Sequence, residues 1–181
     1  MTIRNLDKLF TPQSVAVIGA TNRPGAIGNI VVRNILQGGF EGPVLPVNPK
    51  YEAVAGVLAY PDVASLPKVP DVAIICTPAQ PIPGLIAELG AAGTRAAIVL
   101  TAGLETETAD DGVTIADAML KAAEPHLLRI LGPNCLGMLA PNIGLNASFS
   151  HLPASPGGIA FVSQSGALCT AVLDWAALHD V

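Results

Sequence analysis

The sequence is short of charge. Asp, Glu, Lys and Arg make up 13% of its 181 residues, against about 25% in a typical globular chain. Much of its surface must therefore be buried or built from small neutral residues. Basic residues are the minority, 9 against 14 acidic ones, for a formal net charge of -5. That argues against a broad nucleic-acid footprint. Cysteine is sparse: Cys76, Cys135 and Cys169 stand far apart, with no C-x-x-C pair. This argues against a disulfide scaffold or a zinc site and for reduced thiols in a cytoplasmic setting. No apolar run approaches the roughly 18 residues of a membrane span. The start, Met1-Thr2-Ile3-Arg4-Asn5, leads to Asp7 and Lys8 without the apolar core of a secretion signal. Internal repeats and low-complexity tracts are absent too. A cytoplasmic protein without membrane or nucleic-acid partners is expected.

What is present is apolar and regularly spaced. Hydrophobic residues make up 51% of the chain. Short apolar runs recur at Val15–Ile18, Val44–Val47, Val72–Cys76, Ala96–Leu100 and Leu127–Leu131, each followed by Gly, Pro, Asn or Thr. Such residues end strands. Helical patterns lie between them at Gly28–Gln37, Pro83–Ala92 and Asp110–Ala123. This alternation predicts an α/β fold with a parallel, doubly wound sheet covered by helices on both faces. Tyr60–Pro67 contains Pro61 and Pro67, so it is a short helix or turn at most.

The stretch 133–156 is rich in Pro, Asn and Gly and reads as a long connection. A strand at Ile159–Val162 and a helix from Ser165 to about His179 are predicted after it, the helix with Leu168, Val172, Trp175 and Leu178 at helical spacing. One strand and one helix cannot bury their apolar faces alone. They dock on the first domain, pair between two copies as a dimer, or open a second domain. The expected division is 1–154 and 155–181.

The chemistry concentrates at Ser14–Gly28, S-V-A-V-I-G-A-T-N-R-P-G-A-I-G. Strand, glycine-bearing turn and helix follow one another, which offers backbone N–H groups and a helix N-terminus to a phosphate. The spacing Gly19-x5-Gly25-x2-Gly28 is longer than the dinucleotide fingerprint, so a plain βα turn is the competing reading. Expected contacts are the backbone of Thr21, Asn22, Arg23 and Gly25, the Thr21 hydroxyl, and the Arg23 guanidinium as a two-pronged donor. Pro24 has no N–H to add. The next strand ends in Val47-Asn48-Pro49-Lys50. An NAD site places Asp or Glu there for the ribose hydroxyls. A cation there suits a ribose bearing its own phosphate, as in coenzyme A (CoA) or NADP.

These residues resemble a family. Ser14–Gly28, Pro46-Val47-Asn48-Pro49-Lys50, Cys76-Thr77-Pro78-Ala79, Leu100-Thr101-Ala102-Gly103, Gly132-Pro133-Asn134-Cys135-Leu136-Gly137 and Phe161-Val162-Ser163-Gln164-Ser165-Gly166 are similar, in order, to the N-terminal part of the NDP-forming acyl-CoA synthetases. The CoA-binding domain of that family also occurs in the succinyl-CoA synthetase alpha subunit. Gly38–Pro46, Leu145–Ser150 and Leu173–Ala176 look most like the bacterial lysine acetyltransferases that fuse this region to a GNAT domain. The resemblance implies a Rossmann-like CoA-binding domain followed by the first βα unit of a flavodoxin-like domain. It implies that Thr77 and Pro78 line the CoA groove, that Thr101 lies at its side, and that Asn134 anchors an amide near the thiol end. The motif Thr101-Ala102-Gly103 lacks the glutamate of the alpha subunit's Thr-Glu-Gly. The family's phosphorylated histidine has no counterpart in His126, His151 or His179.

Two motifs invite stronger readings. A nucleophilic Cys135 would need a base or cation beside it, and no local Cys/His pairing is visible, so a half-buried thiol is the better reading. Ser163 or Ser165 suits a helix N-cap, or an anion site at a helix N-terminus. S-Q-S-G fails the hydrolase elbow because Ser163 replaces its first Gly. The expected function is therefore to bind CoA or acyl-CoA for a synthetase-like lysine acetyltransferase, the chain itself being non-catalytic and metal-free. ATP or ADP and a protein substrate would engage only other parts of such a protein. The alternatives are part of an active NDP-forming acyl-CoA synthetase, an NADP-binding oxidoreductase domain, and a pure interaction module.

Overall fold

The computed structural model describes residues 3–109 and 111–179. Its elements run α1 (Leu6–Phe10), β1 (Val15–Ile18), α2 (Ile27–Gly38), β2 (Val44–Val47), β3 (Ala53–Val54), β4 (Val57–Leu58), β5 (Val72–Ile75), α3 (Ile82–Ala92), β6 (Ala96–Val99), α4 (Ile115–Ala123), β7 (Arg129–Leu131), β8 (Gly137–Ala140), β9 (Leu145–Ser148) and α5 (Gly166–His179). The apolar runs form one parallel sheet in the order β2-β1-β5-β6-β7. The α/β architecture with a parallel sheet is as the sequence predicts.

Strand alternation sorts the core into two layers. Ala16, Ile18, Ala73, Ile75, Ala97 and Val99 face Ile82, Ile86 and Leu89 of α3 and Ile115 and Met119 of α4. Val15, Val17, Val72, Ile74, Ala96 and Ile98 face Val31, Val32 and Ile35 of α2. Every residue of β1, β5 and β6 is buried, as a parallel sheet covered on both faces requires. The charge shortage follows in part from this geometry: these three strands have no wet face. The helix ends follow their sequence chemistry. Thr114 caps α4, its hydroxyl oxygen accepting the Asp117 N–H at 3.1 Å while its O–H reaches Asp117 Oδ2 at 2.8 Å. The helix therefore begins at Ile115, later than the periodicity predicts, and the expected start at Asp110 lies outside the described residues.

Two expectations fail. The long connection after β7 contains the β8–β9 hairpin, packed on α2 in the second core layer. Its strand β9 carries Asn146 and Ser148, both buried, which read as loop residues. Burial is tolerated because the polar groups satisfy one another: the Ser148 hydroxyl donates to Asn146 Oδ1 at 2.6 Å, and the Asn34 amide donates to the Ser148 and Ser150 carbonyls at 2.9 and 3.0 Å. The predicted strand at Ile159–Val162 does not form. A strand exists only through a neighbour's hydrogen bonds, and these residues meet none among those described; Ile159 and Val162 are 81% and 91% exposed. The helix after it does form, as α5. The Ser165 hydroxyl accepts the Leu168 N–H at 3.3 Å, which supports the N-cap reading. No residue of α5 is fully buried, and Leu168, Trp175 and Leu178 are exposed. Among the described residues no helix is long and apolar enough to cross a membrane.

Candidate functional site

The chain leaves β1, crosses by α2 to β2 on one side, then returns past β1 to β5 on the other. The strand order reverses between β1 and β5, and ligands of open α/β sheets bind at such a point, beyond the carboxyl ends of the strands. The carboxyl ends are knitted together. The Gly19 N–H donates to the Val47 carbonyl at 2.9 Å and the Cys76 N–H to the Ile18 carbonyl at 2.8 Å. Gly19 has a φ of +87, and a Cβ there would stand 3.0 Å from the Cys76 carbonyl carbon. A Cβ on Gly28 would overlap the Gly19 carbonyl oxygen. Strand end and helix start thus touch backbone to backbone, and the loop between them is pushed out over the sheet.

That loop is tied down by its carbonyls. The Asn48 amide donates to the Ala20 carbonyl at 2.7 Å and the buried Asn29 amide to the Thr21 carbonyl at 2.9 Å. The Thr21 hydroxyl oxygen accepts the Arg23 N–H at 3.1 Å and its O–H points to the Tyr51 hydroxyl at 3.0 Å. The expected cradle over Thr21–Gly25 is therefore partly spent internally, because the Arg23 N–H and the Thr21 hydroxyl already have partners. Donors remain one step on. The N-cap Ala26 supplies no side-chain bond to α2. Among the described residues the Ile27 and Gly28 N–H groups meet no acceptor. This uncapped helix start opens into a cleft of about 680 Å³.

Gly19, Thr21, Arg23, Lys50, Thr77 and Pro78 all line that cleft. Arg23 and Lys50 are exposed at its rim. The Thr77 hydroxyl is buried without a hydrogen-bond partner among the described residues, an unusual cost for a protein interior. The other candidates serve elsewhere. Asn22 staples the β3–β4 hairpin, its amide donating to the Ala53 carbonyl at 2.8 Å and its oxygen accepting the Ala55 N–H at 3.0 Å. Gly25 supplies a turn with a φ of +75 and does not line the cleft. The Thr101 hydroxyl is spent on the Thr77 carbonyl at 2.6 Å. Asn134, with a φ of 55, donates its N–H to the Thr101 carbonyl at 3.0 Å. It lines a separate cavity of about 390 Å³ together with Cys135, Phe149 and the first turn of α5.

Sequence reasoning missed Tyr51, Asn29 and Asp62. Tyr51 follows Lys50 directly, and its scarcity as one of 2 tyrosines was the available signal. Asp62 lines the same cleft as the cations. Hydrogen bonds from the Ser65 hydroxyl and the Ser65 N–H hold its carboxyl below the usual Asp range. It is therefore ionised throughout the neutral range, and its bonds to Ser65 weaken only as pH falls below that range. Cys76 and Cys135 are poor nucleophiles. Burial pushes the Cys76 thiol up to about 12 and raises Cys135 as well, against backbone hydrogen bonds that lower it. Among the described residues no group of three or more His, Cys, Asp or Glu could hold a metal ion.

The sequence profile of the CoA binding domain matches residues 13–141. The chain belongs to this CoA-binding domain family. It is 39% identical to acetate–CoA ligase (ADP-forming) I of Archaeoglobus fulgidus over 97% of this chain and 25% of the ligase. It is 34% identical to the alpha subunit of acetate–CoA ligase (ADP-forming) I of Pyrococcus furiosus over 98% of this chain and 39% of the subunit. The solved acetyl-coenzyme A synthetase 1 of Ca. Korarchaeum cryptofilum, in complex with phosphate and ADP, superposes with a TM-score of 0.86 at 36% identity, over 96% of this chain and 37% of that one. The chain thus spans well under half the length of these relatives. They are synthetases and ligases, as the broader resemblance implies; the nearer likeness to GNAT-fused acetyltransferases is not what they show.

Proposed function

We propose that this chain binds CoA or acyl-CoA in the β1–β5 cleft as the N-terminal domain of an ADP-forming acyl-CoA synthetase. The observation that carries this is the uncapped start of α2 opening into a cleft lined by two exposed cations, Arg23 and Lys50. A helix N-terminus with free N–H groups stabilises a phosphate. The diphosphate of CoA would lie on Ile27 and Gly28 with Arg23 as a forked donor, and the ribose phosphate on Lys50. The Thr77 hydroxyl would gain the partner it lacks. The pantetheine arm would run toward the smaller cavity, where Asn134 supplies amide groups. Residues 155–181 would open the second domain, and ATP or ADP would engage other parts of the synthetase. The ligase and synthetase relatives favour this reading over the lysine acetyltransferase one.

Within this division of labour the chain holds CoA and does not turn it over. Incubated with acetate, CoA, ATP and magnesium, it should retain CoA in equilibrium dialysis and yield no acetyl-CoA. Acetyl-CoA formation that disappears in Lys50→Ala would place a catalytic site in this chain and overturn the proposal.

A further inference from the structure

The cleft that gathers Arg23 and Lys50 also contains two carboxylates, Asp62 and Glu88. A phosphate cannot rest on a carboxylate, so any part of the ligand that meets one of them must donate hydrogen bonds. The two acids differ. Glu88 projects from α3 with no hydrogen-bond partner among the described residues. Asp62 is fixed: its Oδ1 accepts the Ser65 N–H at 2.8 Å and the Ser65 hydroxyl at 2.6 Å. Its Oδ2 takes no bond among the described residues and remains an unspent acceptor.

The fold brings Asp62 to the same end of β2 as Lys50. Tyr60 pairs with the outer edge of β2, its N–H donating to the Pro46 carbonyl and its carbonyl accepting the Asn48 N–H, both at 2.9 Å. The chain therefore leaves the sheet edge at the same end as the Asn48–Lys50 turn, and Asp62 follows two residues later. Pro61 and Val63 flank it and line the cleft as apolar surface for the face of a ring. In CoA one ribose carries both the phosphate suited to Lys50 and the adenine base. With the phosphate on Lys50, the base lies within one nucleoside's reach, and its exocyclic amine is the donor its edge offers.

Resting on the CoA reading, we infer that Asp62 Oδ2 accepts the 6-amino group of adenine and makes this cleft selective for a 6-aminopurine over a 6-oxopurine. An oxo group at that position would turn an acceptor toward a carboxylate. The test is calorimetric titration with CoA and with its analogue carrying hypoxanthine for adenine. Wild type should bind CoA about tenfold tighter, the lower end for a hydrogen bond to a charged group because the site is exposed. Asp62→Asn keeps an oxygen for Ser65 and turns an NH2 toward the base, so the preference should vanish or reverse while the melting temperature stays close to wild type. Equal affinities in wild type would overturn the assignment and leave CoA binding intact. So would an Asp62→Asn variant that weakens both ligands alike and keeps the preference, or loss of the preference in Glu88→Gln alone. Failure of wild type to hold CoA at all would overturn the CoA reading and this inference with it.

Discussion

Gly28→Ala should destabilise the fold and cripple ligand binding together. In an unconstrained helix the exchange would be mildly favourable, because alanine outranks glycine there by up to about 1 kcal/mol. Here the new methyl would overlap the Gly19 carbonyl oxygen. That oxygen belongs to backbone, so no side chain can swing away. Gly19 itself is pinned between the Val47 carbonyl, to which it donates, and the Cys76 carbonyl close behind it. Relief requires α2 to withdraw from β1, which loosens Val31, Val32 and Ile35 from the second core layer. Overpacking of this kind costs about 1–3 kcal/mol, so the clash outweighs the propensity gain. The same withdrawal displaces the Ile27 and Gly28 N–H groups, and CoA affinity should fall by more than tenfold. Chemical denaturation and calorimetry on the purified variant would check both. A variant as stable as wild type that binds CoA normally would show that the close approach does not shape the site.

Removing both cations should give the largest loss in affinity with the least harm to the fold. Arg23 and Lys50 are exposed, so the double alanine variant should melt close to wild type. Each charge-assisted bond is worth about 1.5–3 kcal/mol, and exposure favours the lower figure. Together they predict about a hundredfold weaker CoA binding. The single variants separate the roles. Lys50→Ala should cost about tenfold on CoA and little on dephospho-CoA, which lacks the ribose phosphate. Arg23→Ala should weaken both ligands alike through the shared diphosphate. Wild-type binding should also weaken as salt rises, because exposed charges are screened. Equal losses on CoA and dephospho-CoA in Lys50→Ala would remove that residue from the ribose phosphate.

The sheet was legible because each of its strands is a short apolar run closed by a turn residue, and burial on both faces leaves no polar alternation to confuse the pattern. That Thr77, Pro78 and Lys50 would line the candidate cleft was legible for a related reason: they follow strand ends, where ligands of this architecture bind. What escaped depends on partners distant in sequence. Asn146 and Ser148 look like loop residues until Asn34 is seen to bond the Ser148 carbonyl. Thr21 looks like a free donor until Tyr51 and the Arg23 N–H claim its hydroxyl. Asn22 and Thr101 match their motifs and yet spend their side chains on the scaffold. The strand expected at Ile159–Val162 had the right composition; composition cannot supply the neighbouring strand that a ladder needs.

If the β1–β5 cleft is built for CoA, as we propose, Lys50 in the place of an acidic residue is its sharpest element. Side-by-side calorimetry of the wild-type chain with CoA and NAD tests it most directly. CoA should bind at least tenfold tighter, because its ribose phosphate gains Lys50 while the ribose hydroxyls of NAD find no carboxylate at that strand end. NAD binding as tightly as CoA, or more tightly, would contradict the account.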